Sequence, residues 1–439
     1  MQRRDFLIAG AGFGLVAACG SGDDAGNAYH QVNLVSSAAD STRFKPTLAN
    51  VARGAEFIDA WGIAIRPAGA GGHFWVTAGG WSYEFVGDVT AATDATLRSL
   101  FQDALSLVRI PSAGVAEGEP EVGNTEKFVG FATGVAFNGA DLSSNKFMVR
   151  GQRVDADGVE QVLEGSARFV FATDSGVVSA WTERDPSSGA IVRRNGPAVE
   201  VINGSADGHA YFGLAIKPDT WDKLWLADFG AAPQIRAFDT QWQPIDLSAG
   251  TAFRNPFIGN KPAAEPGDYV PFNIQVLAWR ATSYAFVAYA KSQPDPADRT
   301  RFFAAEEDAI GADAETLQPD RGRLAMFDLD GALVKTFADD RRLNAPWGLA
   351  VAPDNFGSLA GALLVGNFGG HGRIAAYDIE RNRFIGFLQT PAGALVEIEG
   401  LWGLQFGNGA SLGDRNALYF AAGPGDETQG LFGALRYAA

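Results

Sequence analysis

The sequence predicts an all-β fold, a six-bladed β-propeller, and three observations carry that prediction. A short phrase recurs six times: a leading residue that is aromatic in five copies, usually Gly next, then an aliphatic-small-aliphatic alternation. The copies begin at Trp61, Thr133, Phe212, Phe272, Trp347 and Trp402. Each copy is followed by a second short apolar strand, as at Phe74–Thr77, Phe169–Ala172, Leu224–Ala227 and Leu363–Gly366. Gly accounts for 54 of 439 residues and long helical patterns are scarce, which suits a turn-rich β chain. A unit repeated six times stacks into an array, and four short antiparallel strands set around an axis make one propeller blade.

The first nineteen residues read as an export leader and stand outside the fold. Arg3 and Arg4 precede an apolar run, Phe6–Ala18, that is shorter than the roughly 20 residues a membrane-spanning helix needs. The pattern resembles a twin-arginine signal. It ends in Val16-Ala17-Ala18-Cys19, which resembles a bacterial lipobox, so Cys19 is expected to carry a lipid and become the new N-terminus. Residues 20–28 are a polar, flexible tether, and residues 29–439 are read as one propeller. The expected address is a membrane-anchored lipoprotein facing the periplasm or the cell surface. Cys19 is the only cysteine, so a lipidated chain has no disulfide, thiolate chemistry or Cys-rich zinc site. Loss of Arg3, Arg4 and Asp5 with the leader takes the formal charge from −16 to −17. Such acidity argues against nucleic acid as a partner.

Within the propeller, the strand-like segment Tyr29–Val35 has no partner of its own and is expected to close the ring against Leu418–Tyr437. Third strands are clear at Val177–Trp181, Gln234–Asp239, Leu324–Asp328 and Arg373–Asp378, and fourth strands are faint, as at Val334–Phe337 and Phe384–Leu388. Leading residues lie 55 to 79 apart, against roughly 40–45 for a compact propeller repeat. The excess is assigned to loops 88–125, 254–270 and 292–320. The first holds a helix-like stretch, Ala95–Val108, and the last an acidic segment, Ala304–Ala309, fit for a short helix or a lid.

The phrases Pro271–Gln275, Ala345–Ala350, Gly361–Gly369, Gly400–Leu404 and Gly430–Gly433 closely resemble an uncharacterised bacterial family of exported six-bladed propeller-like proteins. Its members have NHL-like repeats and some bear PEP-CTERM sorting tails. The resemblance covers most of the mature chain and implies fold and export, with no established activity. This chain departs from the family at Leu435–Ala439, where no such tail is found, and at Val76–Trp81, where the family has an Asp-Asn pair. The repeat style is also similar, more remotely, to the gluconolactonase and senescence-marker-protein propellers. In those a metal polarises a carbonyl and activates water.

Aligning the six copies exposes two rings. The leading residues Trp61, Phe212, Phe272, Trp347 and Trp402 form an aromatic set, read either as packing that fills the taper of the blades or as a collar binding a small molecule or glycan. The positions just after strand two hold Gly79, Asp174, Asp228, Ala290, Asn367 and Gly423. Asp174, Asp228 and Asn367, joined by Asn273 from the repeated phrase, offer oxygens of the kind Ca²⁺ binds. The same residue types also form ordinary turns. Only four histidines exist, His30, His73, His209 and His371, and no nucleophile elbow or phosphate-binding loop accompanies them. The expected function is a lipid-anchored module that binds or scaffolds a small molecule, glycan or protein. The alternative is a Ca-dependent lactonase, esterase or lyase acting at the channel mouth.

Overall fold

The computed structural model describes residues 26–37, 57–112, 130–156, 158–294, 302–305 and 318–438. Cys19, the leader, most of the tether, residues 113–125 of the first long loop and most of 295–317 lie outside the described residues. The chain begins with β1 (Tyr29–Ser36) and then builds blades, each from the axis outward. Blade 1 is β2 (Ala60–Ala64), β3 (Phe74–Ala78), β4 (Trp81–Phe85) and β5 (Leu107–Arg109). Blade 2 opens with β6 (Ala132–Phe137), diverts into a hairpin of β7 (Met148–Ala156) and β8 (Val159–Ser166), and returns as β9 (Phe169–Thr173), β10 (Val177–Trp181) and β11 (Val199–Asn203).

Blade 3 is β12 (Tyr211–Ile216), β13 (Leu224–Asp228), β14 (Gln234–Phe238) and the two-residue β15 (Pro244–Ile245). Blade 4 starts with β16 (Tyr269–Trp279) and β17 (Thr282–Pro294), on whose far end β18 (Phe302–Ala304) pairs, and finishes with β19 (Gly322–Phe327) and β20 (Leu333–Thr336). Blade 5 is β21 (Pro346–Val351), β22 (Leu363–Asn367), β23 (Ile374–Asp378) and β24 (Arg383–Phe387). Blade 6 is β25 (Leu401–Phe406), β26 (Ala417–Ala422), β27 (Leu431–Tyr437) and, outermost, β1. The first strand thus completes the last blade, pairing antiparallel from Tyr29 opposite Tyr437 to Ser36 opposite Leu431, and this removes the raw edge that an open ring would expose.

Alternation along the strands makes the core. In β13, Leu224 and Leu226 face blade 2 while Trp225 and Ala227 face blade 4, the two-sided burial expected of a sheet covered on both faces. Apolar wedges of this kind fill the six inter-blade spaces, and a seventh cluster of aromatic residues sits on the axis. The Gly of the repeated phrase has a direct physical cause. A Cβ on Gly62 would lie 3.0 Å from the Cα of Gly134 in the next blade. One on Gly348 would collide with the carbonyl oxygen of Trp402, and one on Gly403 with that of Trp61. Inner strands approach so closely that only a bare Cα fits.

The stretch Ala95–Val108 departs from the helical expectation. Asp94 caps a single 3₁₀ turn, Ala95–Arg98, by accepting the Thr96 N–H at 2.9 Å. Leu107 and Val108 are drawn into β5, because pairing with β4 buries them at the blade edge. Ala304 belongs to β18 and Ala305 follows it, buried, while residues 306–309 of the acidic segment lie outside the described residues. Among the described residues no helix is long and apolar enough to cross a membrane.

Candidate functional site

The structure brings all five leading aromatics together on the axis. Trp61 stacks on Trp402 with ring centroids 3.8 Å apart, and Phe212 meets Trp61 at 5.7 Å and Phe272 at 5.2 Å. Trp347 meets both Trp61 and Trp402 edge-on. Their faces are turned to one another, and Ala264, Phe302 and Ala304 from two of the long loops pack against the cluster. Beside it, between the inner strands, remains a cavity of about 40 Å³ lined by Gly62, Gly134, Asn273 and Gln275 among others, room for a water or two. Hydrogen bonds lock the plug: the indole of Trp347 donates to the Phe212 carbonyl at 2.8 Å, and that of Trp402 donates to Asp59 Oδ1 at 2.8 Å.

Asp174, Asp228 and Asn367 occupy equivalent turns of blades 2, 3 and 5 and make the same bond in each. Their Oδ1 atoms accept the N–H of Phe131 at 2.6 Å, Ala210 at 3.0 Å and Asn344 at 2.8 Å, on the way into each blade's first strand. The residue type is set by this latch, which ties the strand-two turn to the blade entry. Asn273 sits elsewhere, on β16 at the position where other copies have Gly. Its Nδ2 donates to the Trp347 carbonyl at 2.8 Å and its Oδ1 accepts the Ile274 N–H at 2.8 Å. Among the described residues no group of three or more His, Cys, Asp or Glu side chains is placed to hold a metal ion.

Asp228 does more than latch. Its Oδ2 accepts Nε of Arg236 at 2.6 Å, and Nδ1 of His209 approaches the same oxygen at 3.0 Å, off the line of a hydrogen bond. With Oδ1 also accepting the Gly230 N–H at 3.0 Å, three hydrogen bonds fix the carboxylate. His209 and Arg236 in turn line a cleft of about 540 Å³ between β11 of blade 2 and β14 and β15 of blade 3, a size typical of ligand sites. Val201, Ile202, Phe238 and Trp242 supply its apolar wall. Tyr211 joins them; burial, and then the nearby Asp228 charge, push its phenol pKa up, so it stays a protonated donor. The sequence points to Asp228 but assigns His209 no role; the residue lies in the loop just before β12. The usable signal was the pairing of an end-of-strand Asp with a His just ahead of the repeated phrase.

Asp59 was also not singled out. It enters blade 1 with φ of 44° and is 1% exposed, and its Oδ2 has no partner. Burial, then the Glu427 charge, push its carboxyl well above the usual range, against the lowering effect of the Trp402 bond. Trp61 Nε1 is likewise buried without a partner.

No family model matches the chain. It is 30% identical over 226 residues to uncharacterized protein L690 of Acanthamoeba polyphaga mimivirus, covering 51% of each chain. It is 29% identical over 275 residues to uncharacterized protein R648 of the same virus, covering 62% of this chain and 58% of that one. The chain therefore spans between half and three fifths of the length of these curated relatives. A solved structure of a structural genomics protein of unknown function from Bacteroides thetaiotaomicron aligns with 87% of the chain at 11% identity and a TM-score of 0.39. Residue pairing within the chain itself, blade by blade, shows a six-bladed propeller, a fold that serves generally as a ligand-binding or scaffolding module.

Proposed function

We propose that the chain is an exported, lipid-anchored propeller that binds its ligand in the cleft between blades 2 and 3. The observation that carries the site is the placement of His209 and Arg236 beside the buried Asp228, with Arg236 hydrogen-bonded to it, on the wall of a cleft whose apolar face is formed by Val201, Ile202, Phe238 and Trp242. A few fixed polar groups in an apolar hollow orient a ligand, while the walls supply affinity. Export and anchoring are supported by the twin arginines, the lipobox ending at Cys19 and the resemblance to exported bacterial propellers.

Two experiments test this reading. Fragments screened by ligand-observed NMR should compete for one site and lose their signal with His209→Ala/Trp242→Ala, while the variant keeps a cooperative melt. Fragments that bind the variant equally well would sink the cleft. Cys19→Ser should release the protein from the membrane fraction and abolish labelling by a radioactive fatty acid; retention in the membrane without label would overturn the anchor.

A further inference from the structure

Blade 3 is unfinished at its outer edge. β15 pairs with β14 only at Ala237 opposite Ile245 and Phe238 opposite Pro244, whereas the fourth strands of blades 2 and 5 each run for five residues. The cause is local: Asp246 Oδ1 accepts the Ser248 N–H at 2.8 Å, and such an Asx turn bends the chain away from the ladder. Gln234, Ile235 and Arg236 are therefore paired with β13 on one side and with no strand on the other.

The phase of the ladder says which backbone groups face the gap. The Asp239 N–H donates to the Gln243 carbonyl on the outer side. In an antiparallel ladder outward and inward residues alternate, so Ile235, four residues earlier, also aims its N–H and C=O outward. The space beside this edge is open on both faces of the blade. The 540 Å³ cleft on the blade 2 side and a second cavity of about 330 Å³ on the blade 4 side share Gln234, Ile235, Leu247 and Ser248. Ile202 and Trp242 wall the first, Phe253 and Ile258 the second. An extended strand sends successive side chains to opposite faces, and this pair of hollows flanks an edge with no strand beside it, where Ile235 itself is 3% exposed and is reached through the two clefts.

Charge narrows the occupant. Asp207 and Asp246 line the first cleft and are exposed, while the charge of Arg236 is answered by Asp228. In the second cavity Lys261 is matched by Glu265 and Asp268, and Arg254 adds a positive charge, so a basic side chain does not suit that side. Resting on the reading of the cleft as the binding site, we infer that the outer edge of β14 is a strand-addition site. It takes an extended peptide segment of a partner protein with a basic side chain on the face turned to blade 2. Main-chain pairing with Ile235 gives affinity and the two hollows give specificity.

A phage-displayed library of random heptapeptides, panned against the propeller and against Ile235→Pro, tests this. Alternating apolar residues with Lys or Arg should be enriched on the native protein and not on the variant. A selected peptide is then resynthesised with N-methyl groups on alternate residues, in each of the two phases, and both are measured on the native protein, so the result does not depend on the variant folding. One phase should weaken binding about tenfold, as loss of one or two hydrogen bonds at about 1 kcal/mol each implies, and the other should leave it within about twofold. Equal effects in both phases, acid-rich sequences or no enrichment would overturn strand addition. In any of those cases fragments that still compete in the cleft leave the binding reading standing.

Discussion

The indole Nε1 of Trp402 and the Oδ1 of Asp59 lie 2.8 Å apart, 343 residues from each other in sequence, and join the innermost strand of blade 6 to the entrance of blade 1. The bond spans the seam where the ring closes. It gives the buried Asp59 carboxyl its one side-chain hydrogen bond, leaving Oδ2 bare.

Trp402→Phe should therefore destabilise the protein by about 2 kcal/mol, because it strands a buried acid while keeping most of the ring stacking. Urea denaturation measures this. A loss within about 0.5 kcal/mol would mean that Asp59 finds another donor.

Asp59 also predicts a pH dependence. Its folded pKa is raised, so the folded state holds a proton that the unfolded state gives up, and stability falls as pH rises above the ordinary carboxylate range. Glu84, fully buried, is raised by burial against the lowering effect of the Ser82 hydroxyl, and acts in the same direction. Asp59→Asn and Glu84→Gln should each flatten the decline in melting temperature between pH 5 and 8. Variants with the native slope would show that neither acid retains its proton.

Glu183 acts with the opposite sign. Burial works to raise its pKa, but Arg66, which grips it with two bonds of 2.7 and 2.8 Å, and Arg193 at 2.9 Å outweigh burial and hold it below the usual value. The stability it contributes is present above the ordinary carboxylate range and is lost as pH falls. Glu183→Gln should cost about 3–5 kcal/mol at neutral pH, since it leaves buried guanidinium groups unanswered. Chemical denaturation of the variant at pH 7 and pH 4 should show the gap to the native protein narrowing in acid.

Gly348→Ala should cost about 2 kcal/mol or more, because the new methyl meets the Trp402 backbone, which cannot swing aside. Gly386→Ala, on the outer strand of the same blade with open space around it, should change stability by less than about 1 kcal/mol. Equal melting temperatures for the two variants would contradict close approach of the inner strands.

The parts of the fold that were legible in sequence are those repeated for a common physical reason. The phrase led by Trp347 or Trp402 marks an inner strand, because every blade must send a ring to the axis and accept a neighbour's backbone against its Gly. Outer strands were faint because solvent covers their edge: Leu333 and Val334 of β20 are exposed, and no alternation is enforced there. The β7–β8 hairpin was missed because much of its sequence is polar: Val149 reaches the wedge between blades 2 and 3, but Val159 and Val162 are exposed and no regular alternation is enforced. Asp59 was illegible because its burial depends on Trp402. His209 was not legible because the four histidines are scattered without metal spacing, and only the fold brings His209 to Asp228.

The closure of blade 6 also fixes an order of events. β1 is made before every other described strand, yet the strand it pairs with, β27, is made after all of them. Until the sixth blade exists, β27 is not there to receive β1, and the apolar side chains of β1, Leu34 and Val35, have no blade to cover. Loop closure over some 400 residues comes late and slowly. The strand of the ring that is made first is thus the last placed, and the ring closes only once both partners of its seam exist.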